Sequence, residues 1–418
     1  MNIKTLIQGI ETCDCGKKHS CPIEHVIIGK NSLQSLQDIC KDYQSIFMVS
    51  DQNTYAVCGR EVEGVLGNKI KTDIMFHTGD APLIPNEEAI EAINQKLVDG
   101  VDLILGVGSG VINDLCKYVS FVHQLPYYIV VTAPSMDGYA SVGSALILKG
   151  MKVTLNAASP KAIIADTKVL KDAPMDMLQA GYGDIIGKYS CLNDWKLSAL
   201  INDEYFCQKV YDIAYEMADK VKGLAEGIVK RQEEAVGALM EALVIVGIAM
   251  AYVGNSRPAS GSEHHFSHYF EITGILTETP YLAHGIDVAY AAVLTAKLRA
   301  QILASTPVRR TFDEEKWMSE IGRIYLDSAD EVIGLQNKMG WYRQDNSHKV
   351  MQKWDTIRAV LEEAPTEEEM IRMVEAVGMN YQEFWDLYGE SKIKDGILCA
   401  KDLKDRYSVL WLYYEFFR

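Results

Sequence analysis

Three of the chain's nine histidines lie in one short stretch, at His264, His265 and His268. The sequence Ser260-Gly-Ser262 just before them can cap a new helix, because serine and glycine are favoured at helix N-termini. On such a helix His264 and His268 would share one face, since they are four residues apart. Histidine pairs also cap helices and fill protein cores, so this pair alone does not separate a metal-binding or catalytic role from a structural one.

Two further residues extend the histidine pair to a set that could bind a divalent metal. Asp184 follows a Gly-Tyr-Gly sequence, and His284 lies between an alanine and a glycine at the start of another predicted helix. One carboxylate and two imidazoles suit a borderline metal ion, and an open coordination position would make that ion a Lewis acid. The pattern therefore predicts a metal site of Asp184, His264 and His284, each at a helix start. An exposed ion pair between Asp184 and Lys188 is the alternative.

A glycine-rich loop predicts a nucleotide site in the first part of the chain. The loop Gly-Val-Gly-Ser-Gly-Val-Ile-Asn-Asp, from Gly106 to Asp114, lies between a predicted strand and a predicted helix. Backbone N–H groups at such a helix start suit a pyrophosphate. The next strand ends in Thr132-Ala-Pro-Ser135, so two strand ends carry small hydrogen-bonding residues, as is typical of a nucleotide crevice. The third glycine comes one residue too early for the G-x-G-x-x-G fingerprint, which leaves a purely structural turn as the alternative.

Strands alternate with helices along the first part of the chain, at a rhythm typical of a doubly wound parallel sheet. Alternating apolar and polar residues from 145 to 155 then predict a hairpin, and residues 161–166 predict a return strand. Beyond Lys171 the apolar residues recur almost only with helical periodicity. We therefore expect an α/β nucleotide-binding domain over residues 1–170 and an all-helical metal and substrate domain over residues 171–418.

The composition is that of an acidic globular protein. Hydrophobic residues make up 48% of the 418 residues and charged residues 23%, which is ordinary for a soluble protein with a sizeable core. A net charge of −16 would repel the phosphates of a nucleic acid. No stretch approaches the ~18 uninterrupted apolar residues of a membrane span, and the first residues lack the apolar segment of a secretion signal. We therefore expect a cytoplasmic protein with neither a nucleic-acid nor a membrane partner.

The nine cysteines are an odd number spread over predicted helices and strands, which favours reduced thiols over disulfides. One cluster differs from the rest, because Cys13, Cys15, His19 and Cys21 lie within nine residues. Three thiols and an imidazole could form a small tetrahedral zinc site. The C-x-C spacing is tighter than the usual C-x2-C, and no second such pair follows. A polar turn before the first strand is therefore the favoured interpretation.

Together these motifs resemble those of one enzyme superfamily, which comprises the iron-containing alcohol dehydrogenases, the glycerol dehydrogenases and the dehydroquinate synthases. The resemblance is carried by the glycine loop with Asp114 and Lys117 and by three further elements: Asp184 with Lys188, His264 with His268, and His284. One departure is Gly-Val-Gly-Ser-Gly in the loop, where the family usually has three successive glycines. A serine at position 109 is compatible with the same turn.

Three strings are similar to those of one family within the superfamily, the sn-glycerol-1-phosphate dehydrogenases. They are Thr-Ala-Pro-Ser-Met-Asp-Gly-Tyr-Ala-Ser at residues 132–141, Ala-Gly-Tyr-Gly-Asp at residues 180–184 and Ser-Arg-Pro-Ala-Ser-Gly-Ser-Glu-His at residues 256–264. The last string is the most specific, and the resemblance covers roughly residues 24–294. The sequence Cys13-x-Cys15-Gly and the long helical C-terminal region point to the bacterial branch of that family.

The resemblance implies that the first domain binds NAD or NADP. It places Asp51 at the adenosine end of the cofactor. It places five residues of the glycine loop and the following helix along the pyrophosphate: Gly110, Val111, Ile112, Asn113 and Asp114. It places the residues after the next strand on the nicotinamide side: Thr132, Ala133, Pro134, Ser135 and Ser141.

The resemblance also implies one divalent metal, zinc or nickel, held by Asp184, His264 and His284. Asp137, Asp184 and His268 would face a small phosphorylated substrate and act as the catalytic residues. An ion bound to the substrate oxygen would polarise the carbonyl. His268, one turn from His264, could pass a proton between substrate and solvent near neutral pH.

The implied activity is the reversible, metal-dependent, NAD(P)H-linked reduction of dihydroxyacetone phosphate to sn-glycerol 1-phosphate, a precursor of glycerophospholipid backbones. The substrate phosphate needs a cationic pocket, for which Lys117, Lys188 and Arg257 are equal candidates. Three alternatives stay open: dehydrogenation of glycerol or another alcohol, a dehydroquinate synthase-like lyase reaction, and a non-catalytic relative. The aromatic tail from Trp411 to Phe417 predicts either core packing or the interface of a homodimer or larger homo-oligomer.

Overall fold

The chain divides into two compact units. The computed structural model describes residues 2–79, 81–148 and 151–418, the side chains of residues 151 and 152 excepted. The first unit comprises Met1–Tyr182 and Gly223–Asn255, and the second comprises Gly183–Lys222 and Ser256–Arg418. These units differ from the expected domains, residues 1–170 and 171–418, whose division stays a prediction.

The strands of the first unit form a parallel sheet and a separate hairpin. In the described residues they are β1 (His25–Gly29), β2 (Ile46–Asp51), β3 (Ile70–Phe76), β4 (Leu103–Gly108), β5 (Tyr127–Val131), β6 (Gly143–Leu148), β7 (Met151–Asn156) and β8 (Ala162–Asp166). The sheet has the order β1-β8-β5-β4-β2-β3, and each neighbouring pair is parallel. The pair β6-β7 is antiparallel, and its predicted turn at residues 149 and 150 lies outside the described residues. The predicted doubly wound parallel sheet is confirmed.

Helices connect the strands of the first unit, and the second unit is built from helices. In chain order, those of the described residues are α1 (Ile3–Leu6), α2 (Leu36–Ile39), α3 (Gln52–Thr54), α4 (Arg60–Leu66), α5 (Glu87–Lys96), α6 (Gly110–His123), α7 (Thr167–Leu170), α8 (Met175–Ile186), α9 (Lys188–Asn202), α10 (Gln208–Lys222), α11 (Ala225–Val229), α12 (Glu233–Val253), α13 (Ser262–Leu276), α14 (His284–Leu303), α15 (Glu314–Tyr325), α16 (Ala329–Met339), α17 (Ser347–Gln352), α18 (Trp354–Glu362), α19 (Glu367–Ala376), α20 (Tyr381–Cys399) and α21 (Val409–Phe416).

The central strands are buried along their whole length. Every residue of β4, β5 and β8 is buried, and β2 is buried except at Asp51. Apolar runs of this kind are expected in a parallel sheet that helices cover on both faces. Leu36 of α2 and Val62 of α4 pack against the apolar side chains of these strands.

The apolar helix α12 belongs to the first unit because glycines bring its backbone close to that unit. A Cβ atom on Gly247 would lie 2.7 Å from the Cβ of Ala140, and one on Gly237 would lie 3.0 Å from the Cγ2 of Thr167. By length and composition alone, α12 could also cross a membrane, but 72% of its most apolar window is buried inside the protein. This burial is what the core helix of a soluble protein shows, so the helix is only a weak indication of a membrane span.

The aromatic tail packs in the core of the second unit. Trp411, Leu412 and Phe416 of α21 are completely buried. They belong to one apolar cluster with Ile201 of α9 and Ile357 of α18. Of the two roles predicted for the tail, core packing is therefore the one that the structure shows.

Candidate functional site

The structure brings Asp184, His264 and His284 together within the second unit. One candidate ligand atom from each residue lies within 4.8 Å of the other two. Oδ1 of Asp184 is 3.6 Å from Nε2 of His264, and the rings of His264 and His284 have their centroids 5.1 Å apart. Asp184 is completely buried and His264 is 5% exposed. The three residues thus form a compact group, in which Asp184 and His264 are buried and His284 is partly buried.

Three helices position this group, but only two of them as the sequence predicted. His264 is in the first turn of α13, and His284 is the first residue of α14. The expectation that Asp184 also starts a helix was wrong, because Asp184 lies in the last turn of α8. Its neighbouring glycine does not break the helix. A Cβ atom on Gly183 would lie 2.3 Å from the carbonyl oxygen of Gly285, so this glycine lets α8 approach the start of α14.

Two side chains that the sequence argument overlooked orient the imidazoles. Oε1 of Glu263 lies 2.6 Å from Nδ1 of His264 and also accepts the N–H of Gly261 at 2.9 Å. Oγ of Ser267 lies 3.2 Å from Nδ1 of His284. A metal-bound histidine usually donates its second ring N–H in this way, which turns the other nitrogen toward the ion. The sequence contained a signal for the first of these contacts, because the carboxylate of Glu263 directly precedes His264.

The charges around the group favour the protonation states of metal ligands. Burial works against an ionised Asp184, but the charges of Lys188 and the two histidines hold its pKa down at about 2. Burial, reinforced by the charge of Lys188, lowers the pKa of His264 well below its usual range. Metal binding requires an ionised carboxylate and neutral imidazoles. Asp184 and His264 therefore have the required protonation states near neutral pH.

The donor set fits a divalent ion. In a tetrahedral site with metal–oxygen and metal–nitrogen bonds of about 2.1 Å, two such ligand atoms lie about 3.4 Å apart. The observed 3.6 Å between Asp184 and His264 is close to that separation. Three protein ligands are also the number that catalytic zinc sites use, because the remaining position is needed for water or substrate.

Lys188 forms a buried ion pair rather than the exposed one considered as an alternative. Its Nζ donates to Oδ1 of Asp184 at 2.6 Å and to the carbonyl of Ala259 at 3.0 Å, and both charged side chains are completely buried. This pair ties the candidate ligand Asp184 to the segment that leads into α13. The lysine thereby fixes the position of the carboxylate.

His268 lies beside the metal-ligand group. It is one turn after His264 on α13, and its ring centroid is 5.6 Å from that of His284 and 6.3 Å from that of His264. Its side chain is only partly buried. This position between the group and more open surroundings is what a proton carrier needs.

The glycine loop in the first unit packs α6 tightly against β4. A Cβ atom on Gly108 would lie 2.5 Å from the Cβ of Ile112, and one on Gly106 would lie 3.0 Å from the Cδ1 of Ile129. Ile112 and the next residue, Asn113, are buried, and Oδ1 of Asn113 accepts the hydroxyl of Tyr127 at 3.1 Å. Any contact of Ile112 with a cofactor would therefore involve its backbone N–H at the start of α6, whereas the N–H of Asn113 already donates to the carbonyl of Ser109 at 2.9 Å.

The strand order puts the other candidate cofactor residues at the same edge of the sheet. The chain moves outward from β2 to β3, but β4 lies on the opposite side of β2. Nucleotides bind at the carboxyl ends of strands at such a switch point. Asp51 ends β2, and its Oδ1 accepts the N–H groups of Asn53 and Thr54 at 2.8 and 2.9 Å, so it also caps α3.

The segment from Thr132 to Ser141 follows β5 and is held by one buried lysine. Nζ of Lys117 donates to the carbonyls of Gly138 and Gly143 at 2.7 and 2.9 Å, and it lies 3.4 Å from Oγ of Ser141. The hydroxyl of Tyr139 donates to the carbonyl of Ala133 at 2.7 Å. Asp137 begins the 3-10 turn in this segment and is nearly buried. The segment is therefore rigidly positioned.

The three candidate phosphate ligands already make strong contacts within the protein. Lys117 and Lys188 are completely buried and bonded as described above. Nε and Nη2 of Arg257 donate to the two carboxylate oxygens of Glu204 at 2.7 and 2.5 Å, and Nη2 also donates to the carbonyl of Tyr407. All three residues thus have structural roles.

Comparisons with known proteins agree with this fold. The pattern of the family described as iron-containing alcohol dehydrogenase matches residues 27–174. Among solved structures, a probable glycerol dehydrogenase of Sinorhizobium meliloti 1021 is similar in fold, with a TM-score of 0.60 and 17% identity, over 90% of this chain and 89% of that one.

Curated relatives are more similar in sequence. A glycerol-1-phosphate dehydrogenase [NAD(P)+] of Halalkalibacterium halodurans is 34% identical over 292 residues, which are 68% of this chain and 73% of that protein. One of the same name from Geobacillus thermodenitrificans is 30% identical over 345 residues, which are 79% of this chain and 84% of that protein. This chain therefore belongs to the glycerol-1-phosphate dehydrogenase family, within the iron-containing alcohol dehydrogenase superfamily.

Proposed function

We propose that the chain catalyses the reversible, metal-dependent reduction of dihydroxyacetone phosphate to sn-glycerol 1-phosphate, with NADH or NADPH as the reductant. The observation that carries the proposal is the buried group of Asp184, His264 and His284 in a chain that is 34% identical to a glycerol-1-phosphate dehydrogenase. The product would serve as the backbone of glycerophospholipids, and the enzyme would act in the cytoplasm.

The nicotinamide cofactor supplies the hydride that is transferred to the carbonyl carbon. We assign it to the residues at the carboxyl edge of the sheet. Asp51 would bind the adenosine end. The start of α6 would bind the pyrophosphate through Gly110, Val111, Ile112, Asn113 and Asp114. The nicotinamide side would be lined by Thr132, Ala133, Pro134, Ser135 and Ser141. The geometry of the glycine loop and the switch point between β2 and β4 support this assignment.

The ion held by Asp184, His264 and His284, zinc or nickel, supplies Lewis acidity at the substrate oxygen. Glu263 and Ser267 orient the two imidazoles through their Nδ1 atoms. Lys188 holds the carboxylate of Asp184 in its ionised form. The chain's own contribution is therefore to hold these three ligands in a fixed arrangement.

The reaction also needs one proton on the oxygen that becomes the new hydroxyl. His268 would deliver it, because its ring stands next to that of His284 and is only partly buried. Asp137 and Asp184 would contact the hydroxyl groups of the substrate. Transfer of the proton as hydride arrives at carbon avoids a free alkoxide.

The substrate phosphate would be held by Lys404, a residue that the sequence argument did not consider. Lys117, Lys188 and Arg257 support other parts of the structure, which makes them poor candidates. Lys404 is only partly buried, and its charge is among those that further lower the pKa of His264, after burial and Lys188. Lys404→Ala should therefore raise KM for dihydroxyacetone phosphate without changing the affinity for NADH.

The direct test is NADH or NADPH consumption with dihydroxyacetone phosphate, measured before chelation, after chelation and after zinc or nickel is restored. The product is then offered to an enzyme specific for sn-glycerol 3-phosphate. We expect turnover that depends on the metal, and a product that the sn-glycerol 3-phosphate-specific enzyme does not convert. Turnover with glycerol or a simple alcohol, but not with dihydroxyacetone phosphate, would contradict the proposed substrate. No redox reaction at all would favour a lyase or a non-catalytic relative.

A homodimer or larger homo-oligomer stays a prediction. The aromatic tail does not support it, because most of the tail's side chains are buried within the second unit. Size-exclusion chromatography with light scattering measures the assembly directly. The predicted absence of nucleic-acid and membrane partners rests on the net charge and on the burial of α12.

A further inference from the structure

A second group of metal-binding side chains lies in the first unit, near the start of the chain. Cys13 and Cys15 are partly buried, and His19 is completely buried. The two sulfur atoms and one ring nitrogen of His19 all lie within 4.8 Å of one another. No disulfide joins any of the nine cysteines, all of which lie in the described part of the chain. The proposed reaction uses none of these three residues.

The backbone folds into a small closed loop that brings the three side chains together. The N–H of Gly16 donates to the carbonyl of Cys13 at 2.9 Å, which closes a turn around Cys15. Gly16 has a φ of +79°, which favours glycine at that place. Ile10 and His19 then exchange two backbone hydrogen bonds, of 2.8 and 2.9 Å, and so close the base of the loop. Residues 10–19 thus form a knuckle with its ligand atoms on the inside.

The imidazole of His19 is oriented as a metal ligand is. Its Nδ1 lies 2.9 Å from the carbonyl oxygen of Tyr252, and its ring stacks on that of Tyr252 at 5.4 Å between centroids. A carbonyl that accepts Nδ1–H leaves Nε2 as the ligand atom, which is the usual outer arrangement of a metal-bound histidine. Nε2 does point to a candidate ligand, because it lies 3.4 Å from Sγ of Cys15.

The spacing agrees with a zinc ion. With Zn–S of about 2.3 Å and Zn–N of about 2.0–2.1 Å at a tetrahedral angle, sulfur and nitrogen ligands lie about 3.6 Å apart. The observed 3.4 Å between Cys15 and His19 is close to this value. An S–H···N hydrogen bond would give a similar distance, so a measurement must separate the two. Thiolates and an imidazole are the ligands of structural zinc sites, and a fourth ligand can be water or another protein group.

We propose that Cys13, Cys15 and His19 bind a zinc ion that is separate from the catalytic metal and holds the N-terminal segment to the end of α12. The link to α12 is already visible in His19 and in the hydroxyl of Tyr252, which donates to the carbonyl of Leu6. The expectation from sequence had favoured a polar turn and had counted Cys21 in the cluster. Cys21 is not part of the group that the described residues form.

Cobalt substitution tests the site on the complete chain, because Co²⁺ bound by thiolates absorbs in the near ultraviolet by sulfur-to-cobalt charge transfer. The catalytic group offers only oxygen and nitrogen ligands and cannot produce that band. The wild-type protein and Cys21→Ser, the matched control, should both show the band on titration with Co²⁺. Cys13→Ser and Cys15→Ser should lose most of it, and Asp184→Asn should keep it while losing roughly one equivalent of metal.

A second measurement does not depend on whether the variants fold. The thiols of the wild-type protein are titrated with an organomercurial reagent, and the zinc that is released is measured after each addition. Release of roughly one zinc per chain with the first thiols to react is the expected result. Absence of the cobalt band from wild-type protein, its full persistence in Cys13→Ser and Cys15→Ser, or the absence of thiol-linked zinc would overturn the proposal. None of these outcomes depends on turnover, so they do not bear on the proposed reaction.

Discussion

The hydrogen bond between Glu263 and His264 allows the proposed catalytic metal site to be tested without touching a ligand. Glu263→Gln keeps the size of the side chain and one oxygen that can accept from Nδ1 of His264 and from the N–H of Gly261, both of which now bond to Oε1. The variant removes the negative charge, which burial already disfavours by raising the pKa of Glu263 to about 7, and it replaces the buried Oε2 by an amide nitrogen. Glu263→Ala removes the hydrogen bond as well, so the two variants separate charge from orientation.

The structure sets the size of the expected effect. Loss of an outer partner of a metal-bound histidine typically costs 10–100-fold in metal affinity, or about 1.4–2.8 kcal/mol. The 2.6 Å separation of Oε1 and Nδ1 is shorter than the usual range of about 2.7–3.2 Å for an N–H···O hydrogen bond, which indicates a close contact between the two side chains. We therefore expect Glu263→Gln to weaken zinc binding about tenfold and Glu263→Ala about a hundredfold.

The assay is zinc competition against a chelator of known affinity, with bound metal counted by elemental analysis. Glu390→Gln changes an exposed carboxylate of the same unit and is the control for general loss of charge. The zinc content of Asp184→Asn, measured in parallel, shows how much zinc binds elsewhere in the chain. Thermal unfolding of each metal-free variant shows whether the fold survives. Zinc affinity in Glu263→Ala equal to that of wild type would refute the idea that this carboxylate supports a metal ligand.

Three further substitutions test other parts of the structure. Asp184→Asn should release the metal and abolish turnover while NADH binding, followed by fluorescence, survives; normal metal content would contradict its role as a ligand. His268→Ala should lower kcat about 10²–10⁴-fold with metal content unchanged, and loss of metal instead would make His268 a ligand. Gly181→Ala should destabilise the fold by about 1–3 kcal/mol in urea unfolding, because its Cβ would lie 1.8 Å from the carbonyl oxygen of Pro134. Gly64→Ala is the matched control, since no atom lies within 4 Å of its Cβ and the exposed helix should gain stability.

The fold class could be predicted because local patterns report local structure. The alternation of strands and helices indicated a parallel sheet, and apolar runs such as the one in β4 indicated strands covered on both faces. The order β1-β8-β5-β4-β2-β3 could not be predicted in the same way, because it depends on which strands pair across long stretches of chain. The surroundings of α12 depend in the same way on residues that are distant in sequence, such as Thr167 and Ala140, which its glycines Gly237 and Gly247 approach closely.

The candidate ligands could be proposed from residue types, whereas their arrangement needed the structure. A glycine before Asp184 suggested a helix start, yet Gly183 serves close packing within α8. Glycine has both uses, so sequence alone does not choose between them. The knuckle of residues 10–19 shows the opposite case. Its unusual C-x-C spacing counted against a metal site, but a turn at Gly16 and the pairing of residues 10 and 19 bring the ligands together.

Helical geometry explains why neighbouring residues of α13 differ in their roles. His264, Ser267 and His268 are separated by three and four positions, so they share one face, and that face contains the contacts to Asp184 and His284. His265 points elsewhere: it is completely buried, and among the described residues neither ring nitrogen has a hydrogen-bond partner. Burial lowers its pKa well below the usual range, so it stays neutral and fills space. The helix face therefore matters more than the number of histidines in this segment, because we propose His264 as a metal ligand and His268 as the proton carrier on one face, whereas His265 is a core side chain.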